Sequence, residues 1–149
     1  MYAIHAKWQR SRVVNFHKIE TAPRPFIAEP ISDEEGFAMF RAALNIFRNW
    51  GLTDNQAATL LDMPARTYAR WKEGATGRLG RDGKARLSNI MGIHKALRLI
   101  FQEPSRGYRW ISAANAAFGG RTALDLMLGG EITDLMRVRR YLDAERGGW

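Results

Sequence analysis

From residue 32 onward, apolar side chains recur every three or four positions, as on one face of an α-helix, and no stretch alternates as a half-buried strand would. Ser32-Asp33-Glu34-Glu35 has the form of a capping box, in which a hydroxyl and a carboxylate each satisfy an amide left free at a helix start. A helix is expected from there to about Trp50, with Phe37, Phe40, Leu44 and Phe47 on its inward stripe and Gly51 ending it. Thr53-Asp54-Asn55-Gln56 repeats the capping pattern and starts a second helix to Leu61. Pro64 suits the first position of a third, over 65 to 73, which Gly74 closes. A loop rich in Gly and basic residues leads to a longer helix over 82 to 102, with Leu87, Ile90, Met91, His94, Leu97 and Phe101 inward and Pro104 as its stop. Helices are also expected over 108 to 117, 122 to 128 and 131 to 145, the last burying Ile132, Leu135, Val138 and Leu142.

The fold class expected is all-α, with roughly seven to eight helices. It divides into an N-terminal arm (1–31), a helix-turn-helix domain (32–104) and a small C-terminal helical domain (105–149). The arm holds Pro23, Pro25 and Pro30 and no sustained period, with room for a short helix or strand around 8 to 16.

Composition narrows the function. With 46% hydrophobic and 11% aromatic residues, the 149-residue chain can bury a core. The absence of cysteine excludes disulfides, Cys-based zinc or iron–sulfur sites and thiol nucleophiles. No stretch has the length and apolarity of a signal peptide or a bilayer span, so a cytoplasmic protein without membrane contact is expected. The formal charge is +8, which favours a polyanionic partner. That charge is localised: between residues 66 and 98 nine Lys or Arg face only Glu73 and Asp82.

Leu52 to Gly74, which runs into this basic stretch, holds two short helices three residues apart. Small Ala57 allows them to approach, Leu60, Leu61 and Met63 fill the wedge, and Tyr68 and Trp71 anchor the second helix. Over its whole length this stretch resembles the helix-turn-helix of Xre/Cro-type repressors, departing from it at the turn, where Asp62 stands in place of the common Gly. A second helix in the major groove puts Arg66, Thr67 and Arg70 in the reading positions. Gln56, Lys72, Arg78, Arg81, Lys84 and Arg86 suit phosphates, which attract any cation without reading sequence. A helical hairpin with a solvated basic face is the alternative.

Phe118-Gly119-Gly120 through Leu128-Gly129-Gly130, followed by Val138 to Trp149, resembles the toxin-binding domain of Xre/MbcA/ParS antitoxins, partners in RES-Xre toxin–antitoxin modules. Asn115-Ala116-Ala117 stands where that family usually has Asn-Pro. Read from the residues alone, Phe118 plugs the base of a helix pair, the glycines supply a reversal, and Leu124, Leu128, Ile132, Leu135 and Leu142 pack the unit. A terminal Trp149 after two glycines suits insertion into a partner's pocket; folding back on its own domain is the alternative. The resemblance implies a cognate RES-domain, NAD-degrading toxin whose active-site entrance is blocked by Arg146, Gly147, Gly148 and Trp149, with Arg121, Arg139, Arg140 and Tyr141 in support. It also implies a homodimer that binds double-stranded operator DNA and autoregulates its operon as a repressor.

An enzyme would need its residues, and they are missing. His5, His17 and His94 are far apart, and Glu131, Asp134, Asp143 and Glu145 read as the polar face of one helix. Gly77 and Gly80 lack the Lys-Ser/Thr ending of a phosphate loop. No catalytic residue, metal or cofactor is expected. The competing reading is a stand-alone Xre-family transcriptional repressor whose C-terminal part dimerises or senses a ligand. A nucleoid protein binding without operator preference is a third.

Overall fold

The computed structural model describes residues 29–75 and 77–147. Expectations for the arm before residue 29, with Lys7, Arg10, Arg12 and Lys18, and for Gly148 and Trp149, lie outside those residues.

Seven α-helices occur among the described residues: α1 (Asp33–Asn49), α2 (Asp54–Leu60), α3 (Ala65–Lys72), α4 (Arg81–Ile100), α5 (Pro104–Ile111), α6 (Ala123–Met127) and α7 (Ile132–Gly147). The capping residues fix the helix starts. Ser32 and Glu35 close a capping box before α1, Thr53 and Gln56 another before α2, and Thr122 and Asp125 a third before α6. Each box satisfies two amides that a helix start leaves without partners.

Three boundaries differ from the sequence expectation: the start and end of α5 and the end of α7. Pro104 opens α5 at its first turn, where a missing N–H costs nothing; α4 has already ended at Ile100, with Phe101 extended. The run Ser112 to Ala117 leaves the helix because its small side chains offer no stripe to bury. Instead Asn115 accepts the Ala117 amide at 2.9 Å and caps a single 3-10 turn, Ala116–Phe118. Gly119 and Gly120 then reverse the chain at φ of +66° and +83°, conformations that L side chains adopt at a cost. An antiparallel bridge between Ala114 and Thr122 closes the loop. At the other end, α7 continues through Arg146 and Gly147, beyond the expected end at 145.

Helix α4 is the spine. It packs along α7 on one side and α1 on another, and α6 and α5 complete the layer. Leu87, Ile90, Ile93, Ala96 and Leu97 of α4 are buried against Phe40, Ala43, Ile46 and Phe47 of α1 and Leu135, Val138 and Leu142 of α7. Ile93 and Ala96 were absent from the expected stripe, while Met91, His94 and Phe101 are half-buried. Burial and the nearby Arg98 hold the His94 imidazole below its usual pKa, favouring the neutral ring of a core-edge histidine. Leu124, Leu128 and Ile132, expected inside, sit half-buried at the rim, and Leu126 and Met127 take the buried places.

The turn between α2 and α3 is strained at Asp62, where the helix-turn-helix units that this stretch resembles commonly have glycine. Asp62 holds φ of +50°, the one non-Gly residue with positive φ among those described. Asp62→Gly is expected to raise stability by up to about 1 kcal/mol, relief of the left-handed strain outweighing the larger unfolded-state entropy of glycine. A lower urea midpoint for the variant would mean that the Asp62 carboxylate makes a compensating interaction.

Candidate functional site

Helices α2 and α3 form the expected pair. Ala57, Ala58, Leu60 and Leu61 are buried between them and the body, and Met63 is half-buried in the wedge. Tyr68 is buried at 2% exposure with its ring edge-on to Phe40; burial, with Asp54 nearby, pushes its phenol up to about 12, so it stays neutral. Trp71 is half-buried, with its ring edge-on to Phe37 and Phe40 at 5.6 and 5.5 Å. The aromatic anchors therefore face α1 and leave the opposite side of α3 to solvent.

On that side Arg66 and Arg70 are exposed one helical turn apart, and neither is ion-paired among the described residues. Thr67 between them is half-buried and lines a cavity of about 240 Å³ with Leu61, Met63, Trp71, Leu79 and Leu87. Arg78 and Arg81, in the loop leading to α4 and at its start, are exposed and unpaired among the described residues.

The remaining expected phosphate ligands are differently placed. Lys72 donates to Asp54 at 2.9 Å, tying the end of α3 to the start of α2. Lys84 pairs with Asp33 of α1 at 2.8 Å with its side chain only 20% exposed, and that contact holds the Asp33 carboxyl below the usual carboxylate range. Gln56 uses its Oε1 to accept the Thr53 amide at 3.0 Å. Arg86 is a correction. It is 4% exposed, and its guanidinium donates to Asp82 at 2.7 Å, to the Leu60 carbonyl at 3.3 Å and to the Gly130 carbonyl at 2.7 Å. A buried guanidinium whose donors already serve protein oxygens cannot meet a phosphate. Arg86 instead joins the end of α2 to the loop before α7. Sequence could not show this, because its periodicity puts Arg86 beside Leu87 without saying what lies above.

The C-terminal candidates divide in the same way. Arg121, Arg140 and Arg146 are exposed. Arg139 reaches back to α4: its Nη1 lies 3.4 Å from the Ser88 carbonyl and 3.4 Å from Asn89 Oδ1, and the guanidinium covers Gly92 so closely that a Cβ there would lie 2.5 Å from it. With Nε also 3.7 Å from Asp143, Arg139 locks α7 onto α4 and leaves the set of outward contacts. Tyr141 stacks on Trp110 with ring centroids 6.0 Å apart and 11° between planes, and both meet the edge of buried Phe118. Phe118 thus plugs α5 against α7, as its place before the two glycines implied. Trp110 was missed for lack of a period linking it to Tyr141, 31 positions later in the chain.

No cluster of three or more potential metal ligands occurs among the described residues, and no described helix is long and apolar enough to cross a membrane.

A capped helix pair with cations along its free face, joined through one long helix to a second helical unit, defines a helix-turn-helix protein of the DNA-binding class. Residues 29–92 match the family model of the antitoxin Xre-like helix-turn-helix domain, and residues 96–148 match that of the antitoxin Xre/MbcA/ParS C-terminal toxin-binding domain. The chain belongs to the Xre/MbcA/ParS-type antitoxins and is a toxin-neutralising, DNA-binding antitoxin. It is also 44% identical over 112 residues to the uncharacterized protein y4oB of Sinorhizobium fredii, covering 74% of this chain and 86% of that one. The two family spans meet inside α4, so one unbroken helix carries the chain from the DNA-binding part into the toxin-binding part.

Proposed function

We propose that this antitoxin neutralises a cognate RES-domain, NAD-degrading toxin, placing the C-terminal end of α7 and the residues after it at the entrance of the toxin's active site. As a homodimer it binds double-stranded operator DNA and represses its own operon. The observation that carries the toxin-side reading is the end of α7: every residue from Asp143 to Gly147 is exposed while Leu142 is still fully buried, so the last turn leaves the body of the domain. Such a projection presents Arg146 and Gly147 to a partner, and an indole such as that of Trp149 is among the strongest interface anchors. The resemblance of the segment beginning at Phe118-Gly119-Gly120 supports the RES reading of the toxin. On the DNA side, Arg66, Thr67 and Arg70 read bases, and Arg78 and Arg81 hold phosphates, with smaller contributions from Gln56, Lys72 and Lys84.

Removal of residues 147 to 149 tests the blocking tail. The truncated chain is expected to keep its helical circular dichroism and operator affinity and to lose growth rescue when co-expressed with its cognate RES-domain toxin. Full rescue by the truncated chain overturns the tail mechanism.

A further inference from the structure

The inner side of the toxin-binding part is already used. Ile111, Met127, Leu135, Val138 and Leu142 are buried in the core, and Arg139 clamps α7 to α4. A toxin must therefore approach the outer side, where Trp110, Phe118 and Tyr141 form a continuous aromatic ridge. Phe118 is buried beneath it, while Trp110 and Tyr141 are half-buried, packed on the core and partly open to the surface. Arg137 lies over the Phe118 ring at 5.7 Å, with its own side exposed to solvent. Arg109 and Arg140, on the same two helices, are also exposed, and none of these three cations is ion-paired among the described residues.

Beside the ridge, Ala113, Ala114, Ala116 and Ala117 are all exposed. Their backbone is held by the Asn115 network, in which the Gly120 amide donates to the Asn115 carbonyl at 2.9 Å and the Asn115 amide to the Arg121 carbonyl at 3.1 Å. This is a low floor of side chains with no rotamers to lose on association, next to preassembled aromatic and Arg groups of the kind that dominate interface energetics. From Tyr141 to the end of α7 is about 9 Å along the axis at 1.5 Å per residue, so one partner can span the ridge and the end of the helix.

We infer that the cognate toxin docks on the ridge of Trp110 and Tyr141, which Phe118 supports from beneath, through an apolar pocket rimmed by carboxylates that pair with Arg109, Arg137 and Arg140. The inference rests on the proposed toxin-neutralising contact and adds to it a second anchor, separate from the tail. Two variants of the full chain test it, by titration against the purified cognate RES-domain toxin. Arg137→Glu reverses the charge at the rim. Ala117→Arg raises an obstacle on the floor and removes no packed side chain. If the wild-type chain binds and each variant is weakened roughly tenfold or more, with unchanged melting, operator affinity and oligomeric state, the docking surface is supported. Binding of both variants within about twofold of wild type overturns the surface and leaves the tail contact standing. Failure of the wild-type chain to bind overturns both. A change in self-association or in operator affinity in place of toxin binding assigns the ridge to a second copy or to DNA and likewise overturns it.

Discussion

Arg86→Met is expected to lower the melting temperature by roughly 6 to 15 °C, the equivalent of about 2 to 4 kcal/mol in a domain of this size. The wild-type guanidinium is buried and serves three oxygens, two of them the main-chain carbonyls of Leu60 and Gly130. Methionine fills a similar volume but donates nothing, so both carbonyls go without a hydrogen bond in a place water reaches poorly. Most of the destabilisation arises there and not from the ion pair. The Asp82 side chain is 55% exposed, and once freed it is simply solvated. Asp82→Asn is therefore expected to cost less than about 1 kcal/mol, and the contrast between the two variants identifies the carbonyls as the source. Thermal unfolding followed by circular dichroism measures both. An Arg86→Met variant melting within about 2 °C of wild type would show that the carbonyls find other donors.

The second large effect is expected on DNA. Arg66→Ala should weaken binding to the operator by about 1 to 3 kcal/mol and relax preference at one base position, while leaving random duplex nearly unchanged. Arg66 is exposed near the start of α3 with no ion pair to break among the described residues, so truncation removes only its proposed contact to DNA and leaves the fold undisturbed. Arg78→Ala provides the comparison: taking the proposed phosphate-binding cation out of the loop before α4 should weaken all duplexes alike and flatten the salt dependence. Lys84 is the poorer comparison, because its ammonium is engaged by Asp33 and its removal also loosens α4 from α1. Fluorescence anisotropy on operator and scrambled duplexes at two salt concentrations separates the outcomes. Equal weakening on both duplexes for Arg66→Ala would remove direct base reading from α3.

Much of the helical layout was legible because its causes are local. The boxes at Ser32–Glu35 and Thr53–Gln56 work between residues three apart, and each appears in the structure as its spacing implies, while the box at Thr122–Asp125 was not read from the sequence. The misplaced start of α5 is instructive: Pro104 ends one helix and begins another with equal ease, and only the extended Phe101 shows which it does here. Asp62 likewise marked the turn by its departure from glycine, and its positive φ is the structural counterpart.

What the sequence by itself determined is therefore the all-helical class, the capped starts of α1 and α2, part of each inward stripe and the concentration of cations between residues 66 and 98. What only the tertiary structure decided is which cations are free. Arg66, Arg70, Arg78 and Arg81 are exposed, Lys72 and Lys84 are drawn into ion pairs, Arg86 is buried, and Arg139 is turned onto α4. The physical reason is distance along the chain. A cap reaches three residues, but Arg86 meets Gly130 and Trp110 meets Tyr141 only after the helices have packed, and a guanidinium reads the same in sequence whether water or a carbonyl will receive it.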